Sequence, residues 1–309
     1  MSIRIQKQGI LTSLQGLGQY GMQRYGVNPR GAMDKTAVRL INLILGNSEA
    51  EPAIEIHFPS GEIVFEKPCV FALGGADFFP ALDGVALENW CSVSSQSSSV
   101  LKFGKKVKGN RCYLAVAGGF KAVPAPMPFR DLPLQKGDTL EFNAVQDDAD
   151  KFVGRRVSRS MVPSYGDFPT VRIVAGAEFE LLSEIDRNAL TEETFLVSND
   201  SNRMGYRLTG PGFQSTRSPE MVSSAVTFGT IQLLPDGQLI ILMADHQTAG
   251  GYPRIAGVIS ADQPLLAQLG AGNKVAFNLV DIEVAERAAM QAELDIRRLR
   301  VGCRFGRYW

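Results

Sequence analysis

Residues 111–119 read RCYLAVAGG, a short apolar run rich in strand-forming types and closed by two glycines. It is too brief for a buried helix, and its flanks are turn residues, so it reads as a strand of a buried sheet. Working outward, EIVFE (62–66), CVFALGG (69–75), SVLKFG (99–104) and DTLEFN (138–143) repeat the same grammar, each bounded by Gly, Pro, Asp or Asn. The opening IRIQKQGILTSLQ alternates as one or two further strands. The polar run SVSSQSSS (92–99) lies between strand-like neighbours and is expected as an exposed strand or hairpin. Beyond a linker expected at 145–169, the pattern resumes with TVRIVAG, TFLVSND, YRLTG, GTIQLL, QLIILMAD and KVAFNLV.

Helices are few. Asp34 reads as an N-cap before Ala37, Leu40, Ile41, Ile44 and Leu45, which share one helical face and predict a helix over 35–45. LLSEIDRNAL and DQPLLAQLG read as short helices, and the strong helix formers from Asp281 to about Leu299 as a terminal one. The final GCRFGRYW reads as a loosely ordered end. The chain is therefore mainly β, of the barrel or sandwich kind, since the regular strand–helix alternation of a doubly wound sheet is missing. The expected organisation is a β-rich unit at 1–150, a second β-rich unit at 165–285, and a helix and tail at 286–309.

Composition removes several classes of function. Lys plus Arg equals Asp plus Glu at 32 each, and the basic runs at Lys105, Lys106 and Lys108 and at Arg297, Arg298 and Arg300 are short. No nucleic-acid partner is expected. No apolar run approaches the roughly 20 residues needed to cross a bilayer, and the opening MSIRIQKQG has no apolar core. The four cysteines are scattered and form no CxxC pair, so neither a disulfide framework nor a metal site is expected. A cytoplasmic protein with reduced thiols follows.

Several motifs bear on chemistry. GLGQYG at 16–21 matches a dinucleotide-binding spacing, but MQRYGVNPRG follows where a helix must open, so that reading fails. No phosphate-binding P-loop and no nucleophile elbow occur. Of the two histidines, His57 ends an apolar strand and reads as a hydrogen-bonded strand-end residue. His246 lies in MADHQTAGGYPRIAG (243–257), where Asp245, Gln247 and Thr248 crowd the end of an apolar strand and Gly250, Gly251 and Tyr252 follow. Polar groups gathered there must meet each other or a ligand, so a pocket wall and a well-satisfied turn both stand. In NDSNRMGYRLTGPG (199–212), Asn202, Arg203 and Tyr206 suit a carboxylate clamp, and a plain hairpin turn accounts for them equally. GVNPRGAMD (26–34), with Arg30 and Asp34, reads locally as a loop and helix cap.

Taken together, GVNPRGAMD, RCYLAVAGG, NRMGYRLTG and MADHQTAGGYPRIAG, in that order, resemble the biotin-dependent carboxyltransferase family. This is also called the allophanate hydrolase subunit 2 or KipA family, and it includes the C-type component of 5-oxoprolinase. The resemblance covers about residues 3–285. It implies a cyclophilin-like β-barrel architecture of two packed β-rich units, and a partner of the KipI type. It further implies membership, with a LamB/YcsF-type subunit, of an ATP-dependent enzyme that opens 5-oxo-L-proline to L-glutamate. ATP is then expected to be held by or shared with a partner. The alternatives it carries are a carboxyltransferase subunit served with carboxybiotin from elsewhere, or a non-catalytic regulator of a KipI-type kinase inhibitor.

For lactam opening, chemistry assigns His246 or Asp245 as base, with Gln247 and Thr248 orienting the substrate. Arg203, with Asn202 and Tyr206, clamps its carboxylate, Gly250, Gly251 and Tyr252 complete the wall, and Arg30 and Asp34 line the loop. Two departures from the family pattern stand out. The proline-rich segment at 120–138 is short and lacks a Gly-Ser-Arg-Ser-Thr-like stretch, and Ala249 stands where Thr is expected.

Overall fold

A computed structural model of the chain describes residues 1–121, 132–145, 149–214 and 221–305. The chain groups into two units. The N-terminal unit holds 1–18, 34–164 and 293–309, and the C-terminal unit holds 19–33 and 165–292. These bounds differ from the sequence-based ones: the 19–33 loop belongs with the C-terminal unit, residues 151–164 belong with the N-terminal unit, and the terminal helix is divided, 286–292 going with the C-terminal unit and 293 onward with the N-terminal one.

In the N-terminal unit two six-stranded antiparallel sheets enclose a core. One sheet is centred on Ser2–Lys7, Glu62–Phe65 and Ser99–Phe103, the other on Ala53–His57, Lys108–Val116 and Cys69–Asp77. The alternation of AIEIH explains its place: Ile54 and Ile56 enter a common core with Ile3, Ile5, Ile63, Phe65, Phe71 and Leu114. Phe65 and Phe71 meet there, their ring centroids 4.6 Å apart. The other face of the second sheet carries Glu55 and His57, and it also receives helix α1 (Lys35–Ile44). Gly74 makes that approach possible, because a Cβ there would lie 2.5 Å from Ile41 Cγ2. Asp34 caps α1 as expected, accepting from the Ala37 amide at 2.9 Å.

The serine-rich run holds a strand, Ser92–Ser95, as expected, but it is partly buried and does not fold back as a hairpin. Ser92–Ser95 pairs in the second sheet and Ser99–Phe103 in the first, so the run carries the chain from one sheet to the other. Ser92 and Ser95 are buried and hydrogen-bonded, which is why a polar strand is tolerated there. The expected linker is likewise anchored rather than loose: Arg155 and Val157 are buried, and Cys91 bridges Arg156.

The C-terminal unit is a closed seven-stranded barrel in the order Thr170–Ala175, Arg254–Val258, Thr230–Leu233, Leu239–Leu242, Gly205–Thr209, Thr194–Val197, Lys274–Leu279. Only the closing pair, first strand to last, is parallel. Alternate residues fill the interior: Val171 and Ile173, Phe195 and Val197, Tyr206 and Leu208, Ile231 and Leu233, Val275 and Phe277. Met33, at the end of the 19–33 loop, joins this same core, which accounts for the loop's membership of the unit.

Two short helices, α2 (Glu184–Glu192) and α3 (Gln263–Ala267), sit where the sequence places them. The terminal helix α4 (Ile282–Arg304) buries Ile296, Leu299 and Cys303. In the N-terminal unit its Glu293 meets Arg39 at 2.8 Å and its Arg300 meets Glu49 at 2.7 Å. No helix among the described residues is long and apolar enough to cross a membrane.

Candidate functional site

The 243–257 run leaves the barrel strand Leu239–Leu242 and keeps pairing for a few residues beyond it. The Met243 amide donates to the Met204 carbonyl at 3.0 Å and the Asp245 amide to the Arg203 carbonyl at 2.8 Å. The run and the 202–204 turn are thereby fixed side by side. Arg203 then grips Asp245 with two parallel bonds, Nε to Oδ2 at 2.9 Å and Nη2 to Oδ1 at 3.1 Å. Nη2 also donates to the Gly31 carbonyl at 2.6 Å, and the Asn28 side-chain amide donates to the Asp245 carbonyl at 3.1 Å. Three segments far apart in sequence, 28–31, 203 and 245, are thus joined by a charge-assisted fork and its neighbours.

The fork changes the chemistry read from the sequence. The guanidinium expected on a substrate carboxylate is engaged by the Asp245 carboxylate instead, in the bidentate geometry that suits it. His246 follows directly, buried at 3% exposure, its Nδ1 2.5 Å from the Gln247 carbonyl. A carbonyl oxygen only accepts, so Nδ1 carries the proton and Nε2 is the basic nitrogen. Gln247 and Tyr252 are exposed and Thr248 is half-buried, so they form the accessible rim of the run.

Ala249–Gly250 pairs with Ser224–Ala225. At Gly250 a Cβ would lie 2.5 Å from the Gln232 side-chain nitrogen, so a larger residue there would have to displace that amide. Gly251 is under no such constraint, the nearest atom to a Cβ there among the described residues being Ser223 Oγ at 3.5 Å.

Tyr206 is a correction. It is 2% exposed inside the barrel and its hydroxyl donates to the Leu269 carbonyl at 3.0 Å, so it packs and anchors rather than clamping a ligand. Its alternation with Leu208 is the physical reason. Asn202 shapes the turn, its Oδ1 accepting from the Met204 amide at 2.7 Å. Arg30 sits in the loop at a left-handed φ of 54°. Asp34 lies in the N-terminal unit, wholly buried as the α1 cap.

Sequence reading passed over Asn28, Gly31 and Gln232. Gln232 carried a usable signal, being a lone amide in an apolar strand; it is 1% exposed and donates to the Tyr252 carbonyl at 3.3 Å. Within the run, Arg254 forms a second fork with Glu178, Nε to Oε2 at 2.9 Å and Nη2 to Oε1 at 2.8 Å.

Among the described residues no group of His, Cys, Asp and Glu gathers as a metal site would. The GLGQYG stretch leads into a three-residue 3-10 turn, Gln23–Tyr25, and so offers no helix N-terminus to a pyrophosphate. Most of the short 120–138 segment, at 122–131, and the last residues, 306–309, lie outside the described residues.

Residues 25–279 match the family model of the carboxyltransferase domain, subdomains A and B. The chain belongs to that family. Within it, the chain is 31% identical over 300 residues to the C-type component of 5-oxoprolinase from Haemophilus influenzae, covering 93% of this chain and 94% of that protein. It is 33% identical over 293 residues to the C-type component of 5-oxoprolinase from Escherichia coli, again with 93% and 94% covered. Among solved structures, the urea amidolyase of K. lactis shares the fold of this carboxyltransferase-family chain with a TM-score of 0.88. The identity is 23%, over 96% of this chain and 20% of that one.

Proposed function

We propose that this chain is a subunit of an ATP-dependent 5-oxoprolinase, which opens 5-oxo-L-proline to L-glutamate together with a KipI-type and a LamB/YcsF-type subunit in the cytoplasm. The observation that carries this reading is the 31% and 33% identity to two 5-oxoprolinase components of the C type, each matched over nearly its whole length.

A lactam carbonyl is a poor electrophile, and phosphorylation of its oxygen at the expense of ATP opens it to water. The nucleotide is assigned to the assembled enzyme, since the glycine-rich loop of this chain lacks the helix end that would cradle phosphates. In this reading the 243–257 run lines the substrate. The Arg203–Asp245 fork holds the run in register, Gln247 and Thr248 orient the substrate amide from the rim, and His246 accepts a proton through Nε2. Arg203 serves by positioning, with its fork on Asp245.

The test is glutamate release from 5-oxo-L-proline with ATP, using the three proteins together and with each omitted in turn. Release that disappears when this chain is left out is the expected result. No release from a folded, assembled mixture overturns the reading and favours carboxyl transfer, the activity that the family's name describes, with carboxybiotin as the donor in that alternative.

A further inference from the structure

5-Oxo-L-proline carries a free carboxylate, and the two arginines held at the 243–257 run are both engaged. Arg203 gives its guanidinium to Asp245, and Arg254, inside the run, gives its own to Glu178. An anionic substrate against this run therefore needs a further cation.

The 19–33 loop brings a third guanidinium to the same place, and it belongs to the C-terminal unit together with the run. The loop is fixed on both sides of Arg30. Ahead of it the Asn28 side-chain amide donates to the Asp245 carbonyl at 3.1 Å, and behind it the Gly31 carbonyl accepts from Arg203 Nη2 at 2.6 Å. The Pro29 carbonyl in turn accepts the Gln19 amide at 2.7 Å. Pro29 and Gly31 are buried, and Arg30 between them is exposed. Consecutive Cα atoms lie about 3.8 Å apart, so Arg30 stands one such step from a residue bonded to the Arg203 fork.

The backbone of Arg30 is a second, separate observation. Its φ of 54° is left-handed, and among the described residues of the C-terminal unit no other non-glycine residue has a positive φ. The loop's other positive-φ positions are Gly21, Gly26 and Gly31. Glycine takes this conformation without steric cost, whereas a residue with a Cβ is strained there. A turn alone would be better served by glycine. Strain kept at a residue whose flanks are held points to a side chain in use.

That side chain is also uncommitted. Among the described residues Arg30 makes no ion pair and no side-chain hydrogen bond. Arg172, Arg187, Arg203 and Arg254 of the same unit each pair with a carboxylate.

We infer that Arg30 binds the carboxylate of the substrate, the role that the sequence suggested for Arg203; this rests on the lactam reading above. The ligand class is a small lactam bearing a carboxylate. Arg203 acts on that anion only by fixing the loop that presents Arg30. No bond of the carboxylate forms or breaks in lactam opening, so the contact is alike in substrate and transition state. Its loss therefore falls on KM rather than on kcat.

The test is glutamate release by the assembled three-protein mixture with Arg30→Met or Arg30→Gly in this chain. Each is expected to raise KM for 5-oxo-L-proline about 10- to 100-fold, the range for a hydrogen bond to a charged group, with kcat little changed. Arg30→Lys, which keeps the charge without the planar fork, is expected between wild type and Arg30→Met. Glycine suits a φ of 54°, so Arg30→Gly is expected to unfold at or above the wild-type temperature, which separates its raised KM from a folding defect.

The uncharged carboxamide of 5-oxo-L-proline, followed by its disappearance, reads the charge itself. Wild type is expected to favour the carboxylate by about 10-fold or more in kcat/KM, and Arg30→Met to lose that preference. Wild-type KM in both Arg30→Met and Arg30→Gly, or an undiminished preference for the carboxylate in Arg30→Met, overturns the inference and leaves the lactam reading standing. A wild-type mixture without glutamate release overturns the lactam reading, and with it this role for Arg30.

Discussion

Asp245 receives Arg203 through both carboxylate oxygens, and the same guanidinium reaches the Gly31 carbonyl at 2.6 Å. One side chain thus ties a strand-end run to a loop far earlier in the sequence. Arg203→Ala is expected to lower stability by about 1.5–3 kcal/mol, the range for hydrogen bonds to charged groups. It should also speed hydrogen exchange across 26–33, which hydrogen-exchange mass spectrometry reads directly. Arg203→Lys should recover little, since an ammonium cannot make the two parallel bonds. Exchange unchanged in both variants would show that other contacts hold the loop.

The Glu178–Arg254 fork makes part of the barrel's stability depend on pH. The hydrogen bond from Arg254 is the main cause that lowers the Glu178 carboxyl below its ordinary value, with burial acting against it. A carboxyl depressed in the folded state contributes stability above its unfolded value, and that contribution is lost as pH falls through the lower folded one. Thermal unfolding of wild type and Glu178→Gln is expected to differ at pH 7 by about 1–3 kcal/mol, and the difference to narrow as pH falls below the ordinary glutamate range. A difference that stays constant down to pH 3 would refute the linkage.

Gly74 and Ile41 set the distance between the second sheet and α1. A Cβ at position 74 meets Ile41 Cγ2 at 2.5 Å and the Trp90 ring at 2.9 Å. Gly74→Val is expected to destabilise by about 1–3 kcal/mol through overpacking, more than Gly74→Ala. Urea unfolding measures both.

Tyr206→Phe separates packing from recognition. Losing its hydroxyl leaves the buried Leu269 carbonyl with one donor fewer, a cost of about 1 kcal/mol, while KM for the small-molecule substrate should stay at the wild-type value. A raised KM with unchanged stability would restore the clamp.

The four thiols should be inert in the folded protein. Burial pushes Cys69 up to about 11, and it raises Cys91, Cys112 and Cys303 as well. At pH 8 only about one Cys69 in a thousand is thiolate, so Ellman's reagent should titrate thiols only as the protein unfolds.

Strand identity was legible because period-two alternation survives inside each segment. AIEIH sends Ile54 and Ile56 to the core, and YRL sends Tyr206 and Leu208 into the barrel. Tyr206 was misplaced because its nearness to Arg203 outweighed that alternation. Partnership was not legible, since register between strands is not written locally. Nothing near Glu55 in the sequence says that the Tyr113 hydroxyl will donate to its carboxylate, and nothing near Asp245 says that Asn28 will reach its carbonyl. The serine run misled for a related reason: its buried hydroxyls find partners at Cys69 and Arg155, on other segments of the chain.

The order in which the units close during synthesis follows from how the chain is shared between them. The barrel unit takes its last residues up to Ala292, whereas the sheet sandwich, whose strands come earlier, draws its final segment from Glu293 onward. In synthesis order, the segment that completes the sandwich is therefore made after the last barrel residue. Until Ile296, Leu299 and Arg300 emerge, the α1 side of the sandwich waits with Arg39 and Glu49 lacking the partners the helix brings.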